Sequence, residues 1–311
     1  MTLEAPVSEP LVEIEIENTK IKVKTTQITS GMAIIPLISE NLAEGDVPRF
    51  LDSTMIDREV FFLDDQGSYD SLSIDNRSND DVIIPASTHV VGGKQNRGID
   101  KLQLIRDHLK KVVDAHCFEP NRSHGSRDFK EIEMVPIDIV YQTMVSKGTG
   151  ASWGSIEQYT KHLRGTGNSL EKFLKNTDKE RTSLALNFET LNEQTGVISL
   201  FGTDFVSIEL FPNKHAFNTF RADIYKGKLA SYLWKKVQEK KIPMLTPSDA
   251  LYKADQFIHT LKESLKTDIH PAQVSDDGKY TTINIRKAGL IADLVLNEER
   301  QIVYLFAIQK F

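Results

Sequence analysis

The chain has 311 residues, a formal charge of −6, one cysteine and two tryptophans. That length suits one large domain or two intertwined ones, and the acidic balance argues against non-specific nucleic-acid binding. A single cysteine excludes an intrachain disulfide and fits a reducing, cytoplasmic setting. No apolar run reaches the roughly 18 residues of a membrane-spanning helix, and the first residues have neither the basic nor the apolar region of a signal peptide.

Residues 1–10 are polar, contain Pro6 and Pro10, and read as a loose arm. Val12, Ile14 and Ile16 then alternate with Glu13, Glu15 and Glu17. After a turn at Asn18, Ile21 and Val23 alternate with Lys22 and Lys24. This pattern predicts a β-hairpin with opposite charges face to face. The organisation expected is an arm and hairpin over residues 1–30 and one domain over 31–311.

Residues 32–38 form a continuous apolar run and read as a strand, and the mixed stretch 40–55 suggests a short helix near Phe50. Strands are expected at 60–63, 71–74 and 81–84, then at 102–105 and 112–117. Residues 117–150 read as loop. Trp153, Ile156, Tyr159 and Leu163 fall at helical spacing, as do Leu170, Phe173 and Leu174. A hairpin follows at 196–211. Asn213 caps a helix whose face carries Phe217, Phe220 and Ile224, with a kink or an end at Gly227. Thr246, Pro247 and Asp249 open another helix, with a face of Leu251, Ala254, Phe257, Ile258, Leu261 and Leu265. Strands at 280–285, 290–296 and 302–308 close the chain. The sum is an α+β protein: an antiparallel β-rich N-terminal part (31–150), then helices and β-hairpins (151–311) joining the same fold. The aromatic stripes on the helices read as core.

Chemistry concentrates in one stretch. After the apolar residues 82–84 and 90–91 come Gly92 and Gly93, then Lys94, Gln95, Asn96 and Arg97 without a break. The glycines permit a tight turn or a close approach. Lys94 is a point charge, and the Arg97 fork suits phosphate or carboxylate. Gln95 and Asn96 can read an amide or a base edge. A phosphate-binding P-loop is disfavoured, because position 88 is a threonine and Gln95 follows the lysine. The rival reading is a structural polar network that pins a strand to later hairpins. A second cluster holds His116, Cys117, Glu119, Arg122, His124 and Arg127. Its spacing matches no zinc motif, so no metal is expected. Cys117 reads as a small buried hydrophobe, whereas Arg122 and Arg127 would suit an anion. No nucleophile elbow and no metalloprotease helix motif is present, so no catalytic residue is assigned and no cofactor is expected.

The run from Val91 to Arg97, after the strand ending at Ile84, resembles the signature of the ARG and Rhodanese-Phosphatase-superfamily-associated protein domain family. Residues 75–84, 112–119, 196–211 and 289–306 are similar to further motifs of that family. Two features depart from it. Ser87, Thr88 and His89 stand where the family has an acidic pair, and of a Gly-Arg-Trp motif only Arg122 is kept. The resemblance implies a role near ADP-ribosylglycohydrolase and phosphatase partners. It suggests an ADP-ribose-like or other phosphorylated ligand at Gly92, Gly93, Lys94, Gln95, Asn96, Arg97, Glu119, Arg122 and Arg127. The alternative it leaves open is a non-catalytic scaffold for a partner enzyme.

Overall fold

The alternating charges at the start of the chain do make a hairpin. In the computed structural model, strands Glu13–Ile16 and Thr19–Val23 pair antiparallel, with Glu13 opposite Lys22 and Glu15 opposite Lys20. The structure describes residues 13–29, 31–41, 47–57, 60–65, 68, 70–86, 88–119, 125, 128–145, 149–161, 169–202, 204–237, 242, 244–267, 274–287 and 289–311.

Thr19–Val23 pairs in turn with Met32–Ser39, which pairs with Gly196–Phe201. The sheet continues through Phe205–Leu210, Ile302–Lys310, Leu290–Leu296, Thr281–Lys287 and Val274–Asp276, and Gln27–Thr29 also pairs with Met32–Ser39. The result is a ten-stranded antiparallel sheet drawn from both ends and the middle of the chain. The hairpin of residues 13–23 is therefore continuous with the strands that follow it. Phe205–Leu210 and Leu290–Leu296 both flank Ile302–Lys310, as the single-fold reading requires.

The central strands Met32–Ser39, Gly196–Phe201, Phe205–Leu210, Leu290–Leu296 and Ile302–Lys310 are buried on both faces, which is why they are mostly apolar, while the edge strands alternate or lie exposed. Side chains alternate along a strand, so Met32 and Ile34 enter one core and Ala33, Ile35 and Leu37 enter the other. Six helices are described: α1 (Ser53–Asp57), α2 (Ile137–Val145), α3 (Thr149–Thr160), α4 (Leu170–Ala185), α5 (Lys214–Val237) and α6 (Pro247–Thr267). Helix α6 covers the second core with Ala250, Ala254, Phe257, Ile258 and Leu261. It starts where its sequence says it should: Thr246 and Asp249 exchange side-chain to backbone hydrogen bonds at 3.3 and 3.1 Å. Helices α2 to α5 supply the first core. None of the described helices is long and apolar enough to cross a membrane.

The chain between the strands Met32–Ser39 and Gly196–Phe201 builds two smaller sheets. One has six strands in the order Phe129–Met134, Thr88–Gly92, Arg97–Ile99, Lys110–Cys117, Ser71–Asn76 and Phe61–Asp64. The other joins Gln103–Ile105, Val82–Ile84 and Arg49–Phe50, the last two in parallel. They enclose a third core around Phe61, Ile74, Val90, Ile99 and Phe129. Phe50 leaves that unit and packs its ring against Phe211, Phe220 and Tyr304, with centroids 5.1–5.6 Å apart. A buried Asp293 carboxylate receives Leu102 N–H at 3.1 Å, binding the two parts of the molecule together.

Three local expectations need correction. Phe50 lies in a strand, and the short helix α1 follows it at Ser53–Asp57. The 117–150 stretch is not all loop: it contains Phe129–Met134 and α2. A register shift between Phe129 and Glu131 breaks the alternation that would have marked the strand. Helix α2 is short and buries Ile137, Ile139, Val140 and Tyr141, so it has no clear polar face. Helix α5 begins at the Asn213 cap, whose Oδ1 accepts from Ala216 N–H at 2.9 Å, and runs straight through Gly227. A Cβ at Gly227 would lie 3.1 Å from the Val135 carbonyl oxygen. The glycine serves close packing there, not termination.

Candidate functional site

The 92–97 turn joins two paired strands, with Arg97 opposite Val90 and Gly98 opposite His89. Gly92 and Gly93 both have left-handed φ, +123° and +60°. A Cβ on Gly93 would lie 2.7 Å from the Phe129 ring, and one on Gly92 2.9 Å from the Asp128 carbonyl. The two glycines therefore answer to backbone conformation and close packing.

The polar residues that follow turn inward. Asn96 is fully buried. Its Oδ1 accepts from Gly92 N–H at 2.8 Å and closes the turn, while its Nδ2 donates to Glu171 Oε2 at 3.0 Å. The backbone N–H of Asn96 donates to Glu119 Oε2 at 3.3 Å, and its carbonyl accepts from Phe118 N–H at 2.9 Å. Glu119 also accepts from Ser169, the N-cap of α4, at 3.2 Å. One asparagine thus links the turn, the end of Lys110–Cys117 and the start of α4. Burial works against ionisation of Glu171, yet hydrogen bonds from Lys175 and Asn96 outweigh it and hold its carboxyl below the usual range.

Arg97 is 1 % exposed. Its Nη2 donates to Asp65 Oδ1 at 3.1 Å and to the Ser68 carbonyl at 2.5 Å, and Asp65 is itself fully buried. Gln95 is buried, with Oε1 lacking a hydrogen-bond partner among the described residues. Lys94 is half-buried and shows no ion pair among the described residues. Cys117 is buried, and burial pushes its thiol up. His116 is buried as well, which lowers its pKa. So Gly92, Gly93, Gln95, Asn96, Arg97 and Glu119 come together, but around carboxylates. Arg122, Arg127 and His124 lie outside the described residues.

A second polar centre escaped the sequence reading. A cavity of about 340 Å³ opens between α2, α3, α5, the turn between Gly196–Phe201 and Phe205–Leu210, and the end of Ile302–Lys310. Asp138, Ser231 and Lys235 form its polar wall, and Phe201, Phe205 and Trp234 its apolar one. Asp138 Oδ1 accepts from Ser231 Oγ at 2.8 Å and from the Tyr159 hydroxyl. Burial raises the pKa of Asp138, although those hydrogen bonds oppose the shift. Burial, and then the charge of Asp138, lift the Tyr159 phenol well above its ordinary value. Lys235 pairs with Asp204 and sits 4.7 Å from the centroid of the Phe201 ring. Trp234 is fixed by donating to the Gln158 carbonyl at 2.8 Å and by stacking on Tyr159.

Residues 20–308 match the model of the ARG and Rhodanese-Phosphatase-superfamily-associated Protein domain. The chain belongs to this family. No curated protein and no solved structure matches the chain. The family domain runs from the hairpin strand Thr19–Val23 to most of Ile302–Lys310, leaving out the strand Glu13–Ile16 and the cavity residues Lys310 and Phe311. Asp138 was missed because the 117–150 stretch of this domain reads as loop, and Tyr159 because it reads as core. A usable signal did exist on α5. Ser231 and Lys235 stand four apart, with Trp234 between them, so hydroxyl, ammonium and ring share one face of the C-terminal half of the helix.

Proposed function

We propose that the chain is a non-catalytic accessory domain that works in the cytoplasm beside a partner enzyme of the ADP-ribosylglycohydrolase or phosphatase type. The observation that carries this reading is the engagement of Arg97. Its guanidinium is buried against Asp65 and the Ser68 carbonyl, as a structural tie requires. The family name supports the choice of partner. An ADP-ribose-like or other phosphorylated ligand at the 92–97 turn would meet Glu119 and Glu171 beside Asn96, which disfavour a second anion. Lys94 is the feature that favours such a ligand there, since it carries a cation with no ion pair among the described residues. That second reading would place the ligand on Lys94 and the outer side of the turn, with Arg97 holding the turn from within.

Two assays on the purified full chain test the proposal. With ADP-ribosylated peptide and with phosphate esters, the chain alone should show no turnover. Mixed with an ADP-ribosylglycohydrolase from the same organism, it should co-elute with that enzyme or change its kcat/KM. Turnover by the chain alone, abolished by substitutions near Lys94, would end the accessory reading in favour of an enzyme.

A further inference from the structure

We propose that the cavity around Asp138 and Lys310 binds a small sugar carrying one anionic group, a sugar phosphate or sugar acid. The inference is independent of the accessory role, because the cavity stands on different elements from the 92–97 turn.

The volume of about 340 Å³ lies in the range of small-molecule sites, roughly 300–1,000 Å³, and at its small end. That excludes a long dinucleotide held whole and suits a single ring with one substituent. The chemistry of the walls is divided. On one side a carboxylate, Asp138, gathers two hydroxyls, Ser231 and Tyr159, which lie 3.2 Å apart. Ser231 lines the cavity with its hydrogen given to Asp138, so acceptor capacity is what its hydroxyl offers a ligand, and Tyr159 supports the pair from behind. Groups that both donate and accept meet such a surface best, and vicinal sugar hydroxyls are of that kind. On the other side Trp234 and Phe205 line the cavity with apolar ring surface, which suits the C–H groups of a pyranose or furanose ring.

The cations are unequal. Lys235 is already paired with Asp204 and lies over the Phe201 ring. Lys310, on the last strand, is exposed, lines the cavity, lies 5.9 Å from the Tyr141 ring centroid, and makes no ion pair among the described residues. One available ammonium beside a hydroxyl-rich wall points to one anionic group on the ligand, placed at the Lys310 end. An amino acid brings an ammonium as well as a carboxylate and lacks vicinal hydroxyls. We therefore make it the control.

The experiment is titration calorimetry and thermal shift on the full chain. The probes are glucose 6-phosphate, ribose 5-phosphate, glucuronate, unmodified glucose, inorganic phosphate and glutamine. A sugar phosphate or glucuronate should bind saturably and raise the melting temperature, and the stronger of the two identifies the anionic group. Glucose, inorganic phosphate and glutamine should bind at least ten-fold more weakly. Lys310→Met alters an exposed side chain and should leave the fold intact. It should weaken the anionic sugar by about ten-fold, the loss expected for one charge-assisted contact. Asp138→Asn keeps an acceptor of the same shape and should weaken anionic and neutral sugars alike. The proposal is overturned if neither sugar phosphate nor glucuronate binds up to 10 mM of probe (roughly a −3 kcal/mol limit). It is also overturned if Lys310→Met binds as the parent does, or if inorganic phosphate or glutamine binds as well as the sugars.

Discussion

The 92–97 turn and the Asp138 cavity are made of similar side chains arranged to opposite effect. Both hold carboxylates, cations and amides. At the turn, Gln95, Asn96 and Arg97 are buried in a row: Arg97 meets Asp65 and the Ser68 carbonyl, and Asn96 meets Glu171, Glu119 and its own turn. At the cavity the polar groups come from α2, α3, α5 and the last strand, far apart in the chain, and they surround empty space. A dense polar run beside a buried strand must satisfy its own hydrogen bonds before it can serve a ligand. At the cavity the polar groups also bond one another, Asp138 with Ser231 and Tyr159 and Lys235 with Asp204, yet they leave polar surface facing open space. The first arrangement marks a tie in the fold, and the second marks a place for something to bind.

The largest expected effect breaks the comparison if it fails. Arg97→Ala leaves Asp65 buried without the guanidinium, so urea unfolding should show a loss of about 3–5 kcal/mol. Lys94→Ala, two turn residues away on a half-buried site, should change stability by less than about 0.5 kcal/mol. If Arg97→Ala were as stable as the parent, the turn would not be a tie, and its fork would be available to a ligand after all.

The next effect sharpens the description of the turn. The Phe118 ring lies flat on Gly98, where an added Cβ would come 2.0 Å from a ring carbon. Gly98→Ala should therefore cost about 1–3 kcal/mol by overpacking. It should also disturb the Asn96 carbonyl to Phe118 N–H bond, visible as faster amide exchange at Phe118. A neutral result would mean that the ring moves aside freely and that the strand end is not rigid.

Much of the architecture was legible, and the reasons are local. The 13–23 hairpin announces itself by alternation and complementary charge, and α6 by its cap, its proline and its apolar face. The 92–97 run stands out in the sequence by its density of polar side chains, and the structure buries Gln95, Asn96 and Arg97 of it. Whether its arginine faces a ligand or a buried aspartate could not be read, because Asp65 lies 32 residues away and nothing in its own neighbourhood marks it as a partner. The strand Phe129–Met134 was hidden by its register shift, and α2 by burial on most sides. Losing those two elements also hid Asp138, since a residue assigned to a loop has no face to share with Ser231 on α5. The cavity is a product of tertiary assembly, and single-element periodicity cannot show it.

The smallest effect compares one carboxyl from each region. Glu171, beside Asn96, has its pKa lowered in the folded protein. It contributes stability that is present above the ordinary glutamate value of 4.5 and is lost as pH falls through the lower, folded value. Asp138, in the cavity wall, has its pKa raised. Its contribution is full below the ordinary aspartate value of 3.8 and fades as pH rises through the higher, folded value. The two variants Glu171→Gln and Asp138→Asn should therefore respond to pH with opposite sign. Glu171→Gln should cost about 0.5–1 kcal/mol at pH 7, a figure reduced because the site is partly open to solvent, and the cost should shrink at the acid end. Asp138→Asn should gain on the parent as pH rises, because the variant no longer has a charge to desolvate. Urea unfolding of the parent and both variants between pH 3 and 8 measures the two slopes. Slopes of the same sign would mean that the cavity carboxylate is held as tightly as the one at the turn, and the contrast between a closed tie and an open site would fail at Asp138.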